Sequence, residues 1–139
     1  MNFELHPQLA KDCFIIGQSE LNLLLLLNDS QYPWCILVPK RENLREIYQL
    51  TTADLTQFWQ ESNALSQTLN KAFSADKMNV AALGNMVPQL HIHHIARFTT
   101  DKAWPGPVWG KVPAKPYEED EKQAVIKKLQ PVIDERFSF

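Results

Sequence analysis

The chain is expected to adopt an α+β fold built on an antiparallel sheet, and three features lead to it. Short apolar stretches at 13–16, 21–27 and 34–38 carry strand-forming residues. One long amphipathic helix follows them. Two further strand-like stretches and a terminal helix then close the chain, so strands and helices run in blocks rather than in strict alternation. At 139 residues the chain reads as one domain, 1–139, with a C-terminal helix at 118–135 as an appended element.

Taken in order, residues 5–11 form a short helix with Pro7 near its start, where a missing N–H is tolerated. Residues 13–16 are a strand, ended by a turn at 17–20. The leucine-rich run 21–27 is brief and bounded by turn residues, so it reads as a buried strand. Asn28 and Asp29 open a polar loop with Asx-turn chemistry. The strand 34–38 follows, and Pro39 ends its pairing. Two apolar strands across a short polar loop make an antiparallel pair. Residues 40–46 are charged and exposed. A threonine cap at 51–52 with Asp54 in the first turn opens the clearest helix. Leu55, Phe58, Trp59, Leu65, Leu69, Ala72 and Phe73 recur along it at helical spacing, a stripe that reads as core.

A strand at 78–83 is interrupted at Gly84 and Asn85, and a second strand spans 89–97. Pro105, Gly106, Pro107, Gly110, Pro113 and Pro116 exclude regular structure from most of 99–116. Trp104 and Trp109 require that this loop pack on something, the site or a partner subunit. The last helix is led by four acids at 118–121, as the macrodipole prefers. Its stripe is Val125, Ile126, Leu129, Val132 and Ile133, and Pro131 is expected to kink or divide it.

Apolar residues make up 45% and charged residues 22% of the chain, ordinary values for a soluble globular protein. A net charge of −2 supplies no basic face for a nucleic-acid polymer. The longest apolar run, 23–27, is too short to span a bilayer, and Glu4, Lys11 and Asp12 make the N-terminal stretch unlike a signal peptide. Cys13 and Cys35 sit in apolar stretches and read as buried free thiols. A cytoplasmic protein is the expectation.

Chemistry concentrates at Gln89-Leu90-His91-Ile92-His93-His94-Ile95-Ala96-Arg97. Strand alternation puts Gln89, His91 and His93 on one face and Leu90, Ile92 and His94 on the other. Imidazoles fill cores poorly unless hydrogen-bonded, so a polar row of this kind points to a site. Three uses are open. A neutral imidazole can attack phosphorus and form a phospho-histidine. His91 and His93 could share a metal ion, although zinc wants further ligands and no acidic residue stands beside the row. The histidines could also be structural groups near an interface.

The segment from Gly84 to Arg97 resembles the signature of the histidine triad (HIT) superfamily of nucleotide hydrolases and transferases. That signature is a glycine, usually a glutamine, three histidines alternating with apolar residues, and a short apolar stretch that often ends in arginine. Two registers fit. With His91 first, His93 is the middle histidine and Ile95 replaces the third. With Gln89 first, His91 is the middle histidine and His93 the third. The second register also puts Gly84 and Arg97 where the family glycine and arginine fall. Asn28-Asp29-Ser30 and Ile36-Leu37-Val38-Pro39-Lys40 look like the family's nucleoside-binding segment. Trp104-Pro105-Gly106 is similar to a stretch found after the triad in one HIT branch.

The resemblance implies a HIT-like antiparallel sheet with two main helices, paired into a homodimer. It implies attack by His91 on the α-phosphate of a nucleotide or nucleotide conjugate, with His93 supporting charge and proton transfer. Asn79 and Asn85 match positions that contact ribose and phosphate, and Asn28 or Asp29 would hold the ribose hydroxyls. No metal ligand set and no cofactor is required. Three positions depart from the pattern. Gln89 replaces the first histidine and carries no titratable proton near neutral pH, which leaves either a hydrolase or a nucleotide-binding module without catalysis. Asn85 stands for the common glutamine, and Met86 for a small hydroxyl residue. His94 is extra and reads as a structural or interface residue.

Overall fold

Five antiparallel strands form one sheet in the computed structural model, which describes residues 2–138. The elements are α1 (Pro7–Asp12), β1 (Cys13–Gln18), β2 (Asn22–Leu27), β3 (Trp34–Pro39), a 3-10 turn (Ile47–Gln49), α2 (Thr52–Phe73), β4 (Lys77–Ala82), β5 (Ile92–Arg97) and α3 (Glu119–Arg136). The strand order is β1-β2-β3-β5-β4, and every pairing is antiparallel. This is the α+β architecture the sequence pointed to.

Alternation along the strands divides the core into two layers. Leu24, Leu26, Cys35, Leu37 and Ile92 face the helices, where they meet Phe58, Leu65 and Leu69 of α2 and Leu129, Val132 and Ile133 of α3. Leu23, Leu25, Trp34, Ile36, Val38 and Ile95 face the other way. Among the described residues no long helix covers that side. It is closed by Leu9 of α1, by Val87, and by Ala103 and Val108 of the segment after β5. This second side, walled by loops, holds the site.

Helix α2 starts as its sequence requires: Thr51 Oγ1 accepts from Asp54 N at 3.1 Å. It ends at Ser74 in the left-handed region.

Several boundaries differ from expectation. The first helix begins at Pro7, not at residue 5. Strand β1 runs through the expected turn to Gln18, because its register shifts between Ile15 and Gly17 and pairing then resumes. Gly17 lies against the chain's end, where a Cβ would meet the Phe137 carbonyl oxygen at 2.5 Å. The expected strand at 89–97 begins only at Ile92, so residues 89–91 approach it as irregular chain. Pro131 does not divide α3, which continues to Arg136. Pro131 and Lys127, whose carbonyl loses its helical donor, are both exposed, so the break lies on the solvent side of the helix.

Candidate active site

His93 sits on β5 opposite Ile36 of β3, and His91 stands one residue before the strand. Both rings are almost fully buried. They meet edge-on, with centroids 5.0 Å apart. His91 Nδ1 lies 2.7 Å from the Gln89 carbonyl oxygen. A carbonyl only accepts, so Nδ1 carries the proton and the neutral ring keeps its lone pair on Nε2. Burial lowers the His91 pKa against the pull of the Gln89 carbonyl, and proximity to His6 lowers it further. The ring is therefore neutral at physiological pH.

His93 has the opposite tautomer. The Trp34 indole Nε1–H donates to His93 Nδ1 at 3.0 Å, within the buried interior. Nε2 then carries the proton, with the Leu83 carbonyl oxygen 3.4 Å away. Burial, reinforced by His91 alongside, pushes the His93 pKa down to about 4. Trp34 and Trp109 both stand edge-on to the ring, with centroids at 5.7 and 5.1 Å. Gly84 closes on the pair from the β4–β5 connection. A Cβ there would lie 2.8 Å from the Val87 carbonyl oxygen and 3.3 Å from His91 Cε1. The glycine is what lets this loop pack against the His91 ring.

Both imidazoles line a cavity of about 700 Å³, within the range of small-molecule and cofactor sites. Trp34, Ile36, Val108 and Trp109 make its apolar wall, and Asn28, Asp29 and Asn85 also border it. The structure thus brings together His91, His93, Asn28, Asp29 and Asn85. Asn28 Oδ1 accepts from Tyr117 N at 2.8 Å. Asp29 receives Gln31 N, Gln31 Nε2 and Lys115 N all on Oδ1. No protein donor reaches Asp29 Oδ2 among the described residues.

Two expected site residues are placed elsewhere. Asn79 does not line the cavity; its Oδ1 accepts from Arg97 Nη1 at 2.7 Å. Gln89 contributes its carbonyl to His91, but its side chain turns to the N-terminal segment. Its Oε1 accepts from His6 N and its Nε2 donates to Glu4 O, each at 2.8 Å. His91 and His93 do face one cavity, but the expectation that Gln89 shares their face is corrected. Residues 89–91 precede β5, so strand alternation does not extend to them.

His94 points to the helix side. Its Nδ1–H donates to Ile92 O at 3.1 Å, and Ser62 Oγ–H of α2 donates to its Nε2 at 2.7 Å. It is a satisfied core histidine. Among the described residues no three of His, Cys, Asp and Glu converge to hold a metal ion. Trp34 is a site residue that sequence reading did not assign, whereas Trp109 belongs to the loop expected to pack on the site or a partner subunit. For Trp34 the available signal was a tryptophan in an otherwise aliphatic buried strand, whose indole N–H needs an acceptor.

An antiparallel sheet backed by helices in this order is the α+β fold of the HIT-like class. The HIT domain family model matches residues 8–100, and the chain belongs to this family, which includes nucleotide hydrolases and transferases. A histidine triad protein from Marinobacter aquaeolei VT8 is 51% identical over 96% of this chain and 98% of its own, with a TM-score of 0.94. One from Sinorhizobium meliloti 1021 is 41% identical over 94% of this chain and 96% of its own, with a TM-score of 0.91. Histidine triad protein blr8122 from Bradyrhizobium japonicum is 41% identical over 94% and 98%, with a TM-score of 0.92. No curated protein matches the chain.

Proposed function

We propose that the chain is a nucleotide phosphohydrolase or nucleotidyl transferase that acts at the α-phosphate of a nucleotide conjugate through a nucleotidyl-histidine on His91. Substrates of this type are dinucleoside polyphosphates and nucleoside phosphoramidates. One observation carries the reading: the 2.7 Å contact from His91 Nδ1 to Gln89 O, which leaves the lone pair on Nε2 of a ring lining the cavity. In the first step Nε2 bonds to phosphorus, and the bond to the leaving group breaks with its electron pair. In the second, water attacks phosphorus and gives up a proton to solvent, and the P–N pair returns to Nε2. His93 Nε2–H and the Asn85 amide are the donors for the phosphoryl oxygens. Asp29 Oδ2 and the Asn28 amide serve the ribose hydroxyls, and the Trp34–Ile36–Trp109 wall receives the base.

The test is intact-mass spectrometry after incubation with AMP-amidates, dinucleoside polyphosphates and nucleotide sugars, quenched in mild base. A nucleotidyl adduct mapping to His91 is expected. His91→Ala should abolish adduct and turnover without lowering the melting temperature appreciably. Equal turnover in variant and parent would refute the assignment.

A second reading, a nucleotide-binding module without catalysis, is favoured by the Gln89 amide, which is bonded to Glu4 and His6 rather than offered to the cavity. It expects AMP binding in a calorimeter and no product from any conjugate.

We also propose a homodimer. Strand β4 is an uncovered sheet edge, and Val80 on it, Leu83 just after it and Trp59 on α2 are exposed apolar residues. A cytoplasmic setting fits Cys13 and Cys35, both free and buried, with thiols that burial pushes up to about 12.

A further inference from the structure

We infer that this site cleaves nucleotide conjugates whose leaving group departs as a stable anion, such as phosphoanhydrides, and discriminates against amine leaving groups, because Trp34 locks His93 as a neutral Nε2–H donor. The inference rests on the chemistry proposed for His91.

An indole N–H donates only. Trp34 Nε1–H is buried and aimed at His93 Nδ1 at 3.0 Å. To act as a general acid, His93 would have to hold protons on both nitrogens before giving one up. A proton on Nδ1 would face the indole N–H at 3.0 Å, two donors with no acceptor between them. The neutral ring can lend its Nε2–H to a phosphoryl oxygen, but losing that proton would leave an imidazolate. The groups around His93 are the His91 ring, the indoles of Trp34 and Trp109, the Leu83 carbonyl and the adjacent His94. None of them is an anion that would stabilise an imidazolium.

The two neighbours of His93 along the triad hold no spare proton either. Gln89 is an amide, engaged with Glu4 and His6. The one proton on His91 is directed at the Gln89 carbonyl. Lys11 and Asp12 border the cavity next to Asn28, whose N donates to Asp12 O at 2.9 Å, and neither makes a hydrogen bond to His91 or His93 among the described residues. Asp29 is held beside Gln31 and Lys115.

The two substrate types differ at this point. When a phosphoanhydride P–O bond breaks, the pair remains on a phosphate oxygen, which needs no proton. When a phosphoramidate P–N bond breaks, the nitrogen takes the pair and must gain a proton as it leaves. Loss of general-acid assistance costs about 100-fold or more in rate. Trp34 is thus a positioning residue that acts through the tautomer of His93.

Two measurements test this. Long-range ¹⁵N–¹H spectra of the parent between pH 5 and 8, with His93 assigned by its loss in His93→Gln, should show one neutral Nε2–H tautomer throughout. A doubly protonated or Nδ1–H ring at pH 6 would overturn the lock without any variant having to fold. The second measurement is kcat/KM for an adenosine dinucleoside tetraphosphate and for an adenosine 5′-phosphoramidate of a primary amine, in the parent and in Trp34→Phe. The parent should favour the anhydride about 100-fold. Trp34→Phe keeps an aromatic ring but removes the N–H, so it should raise the His93 titration midpoint. It should also narrow that preference at pH 6 by about 10-fold. Equal rates on both substrates in the parent would sink the leaving-group preference. Absence of turnover on both, with AMP still bound, would remove the His91 reaction and the preference with it, while the spectra still decide the Trp34 contact.

Discussion

His93 and His94 are adjacent in the chain and opposite in setting, one toward the cavity and one toward α2. Burial pushes both pKa values from the ordinary 6.5 down to about 4. The folded values lie below the unfolded ones. Between pH 6.5 and 4 the unfolded chain therefore binds protons that the folded chain refuses, and stability rises with pH across that window. The stabilisation is complete above about pH 6.5 and is lost as pH falls toward 4. At pH 5 each imidazole should cost on the order of 2 kcal/mol relative to pH 7.5. Denaturant titrations at the two pH values should show a lower midpoint at pH 5, and coincident midpoints would contradict the buried neutral state. At this scale much was legible. Alternation alone separates His93 from His94, and the histidine pair itself marks the cavity. The Trp34 contact was not legible, because it depends on the pairing of β3 with β5, which no local pattern fixes. Gln89 and Asn79 were misplaced for the same reason: the partners that claim them lie 83 and 18 residues away in sequence.

Strands and helices were legible from apolar periodicity, and so was the irregular course of 99–116; what orders that segment was not, since one arginine organises it. Arg97 is buried, with Nε and Nη2 on the Asp101 carboxylate at 2.8 and 3.1 Å. Its Nη2 also donates to Gly106 O at 2.8 Å and its Nη1 to Asn79 Oδ1 at 2.7 Å. The Trp104 ring lies 5.8 Å from the guanidinium. Burial alone would raise the Asp101 carboxyl, but Arg97 and the N–H groups of Phe98, Trp104 and Ala103 outweigh it and hold it at about 2. This clamp fixes the start of the loop that carries Val108 and Trp109 into the cavity wall. Arg97→Ala strands a buried carboxylate and should destabilise the fold by about 3–5 kcal/mol in thermal unfolding. Because Trp109 loses its anchor, AMP affinity should fall too. Wild-type stability in the variant would show that the clamp is dispensable.

At the scale of the whole molecule, the uncovered β4 edge predicts self-association. Light scattering should give twice the chain mass for the parent and the single chain mass for Val80→Lys, which places a charge on that edge. A parent at single chain mass would exclude the dimer. The family match ends at residue 100, yet the remaining chain is built into the molecule at two places. Leu129, Val132 and Ile133 of α3 share one core with α2 and the sheet. Before α3, Ser30 N donates to Lys115 O at 2.7 Å and Tyr117 N to Asn28 Oδ1 at 2.8 Å, fastening this segment beside Asn28 at the cavity. Val108, Trp109, Val112, Ala114 and Pro116 all border that cavity. The imidazole pair therefore lies in one stretch of the sequence and much of the shape of the recess in another. Exchanging residues 108–116 between relatives offers a way to retarget the recess while the imidazoles and their tautomers stay as they are.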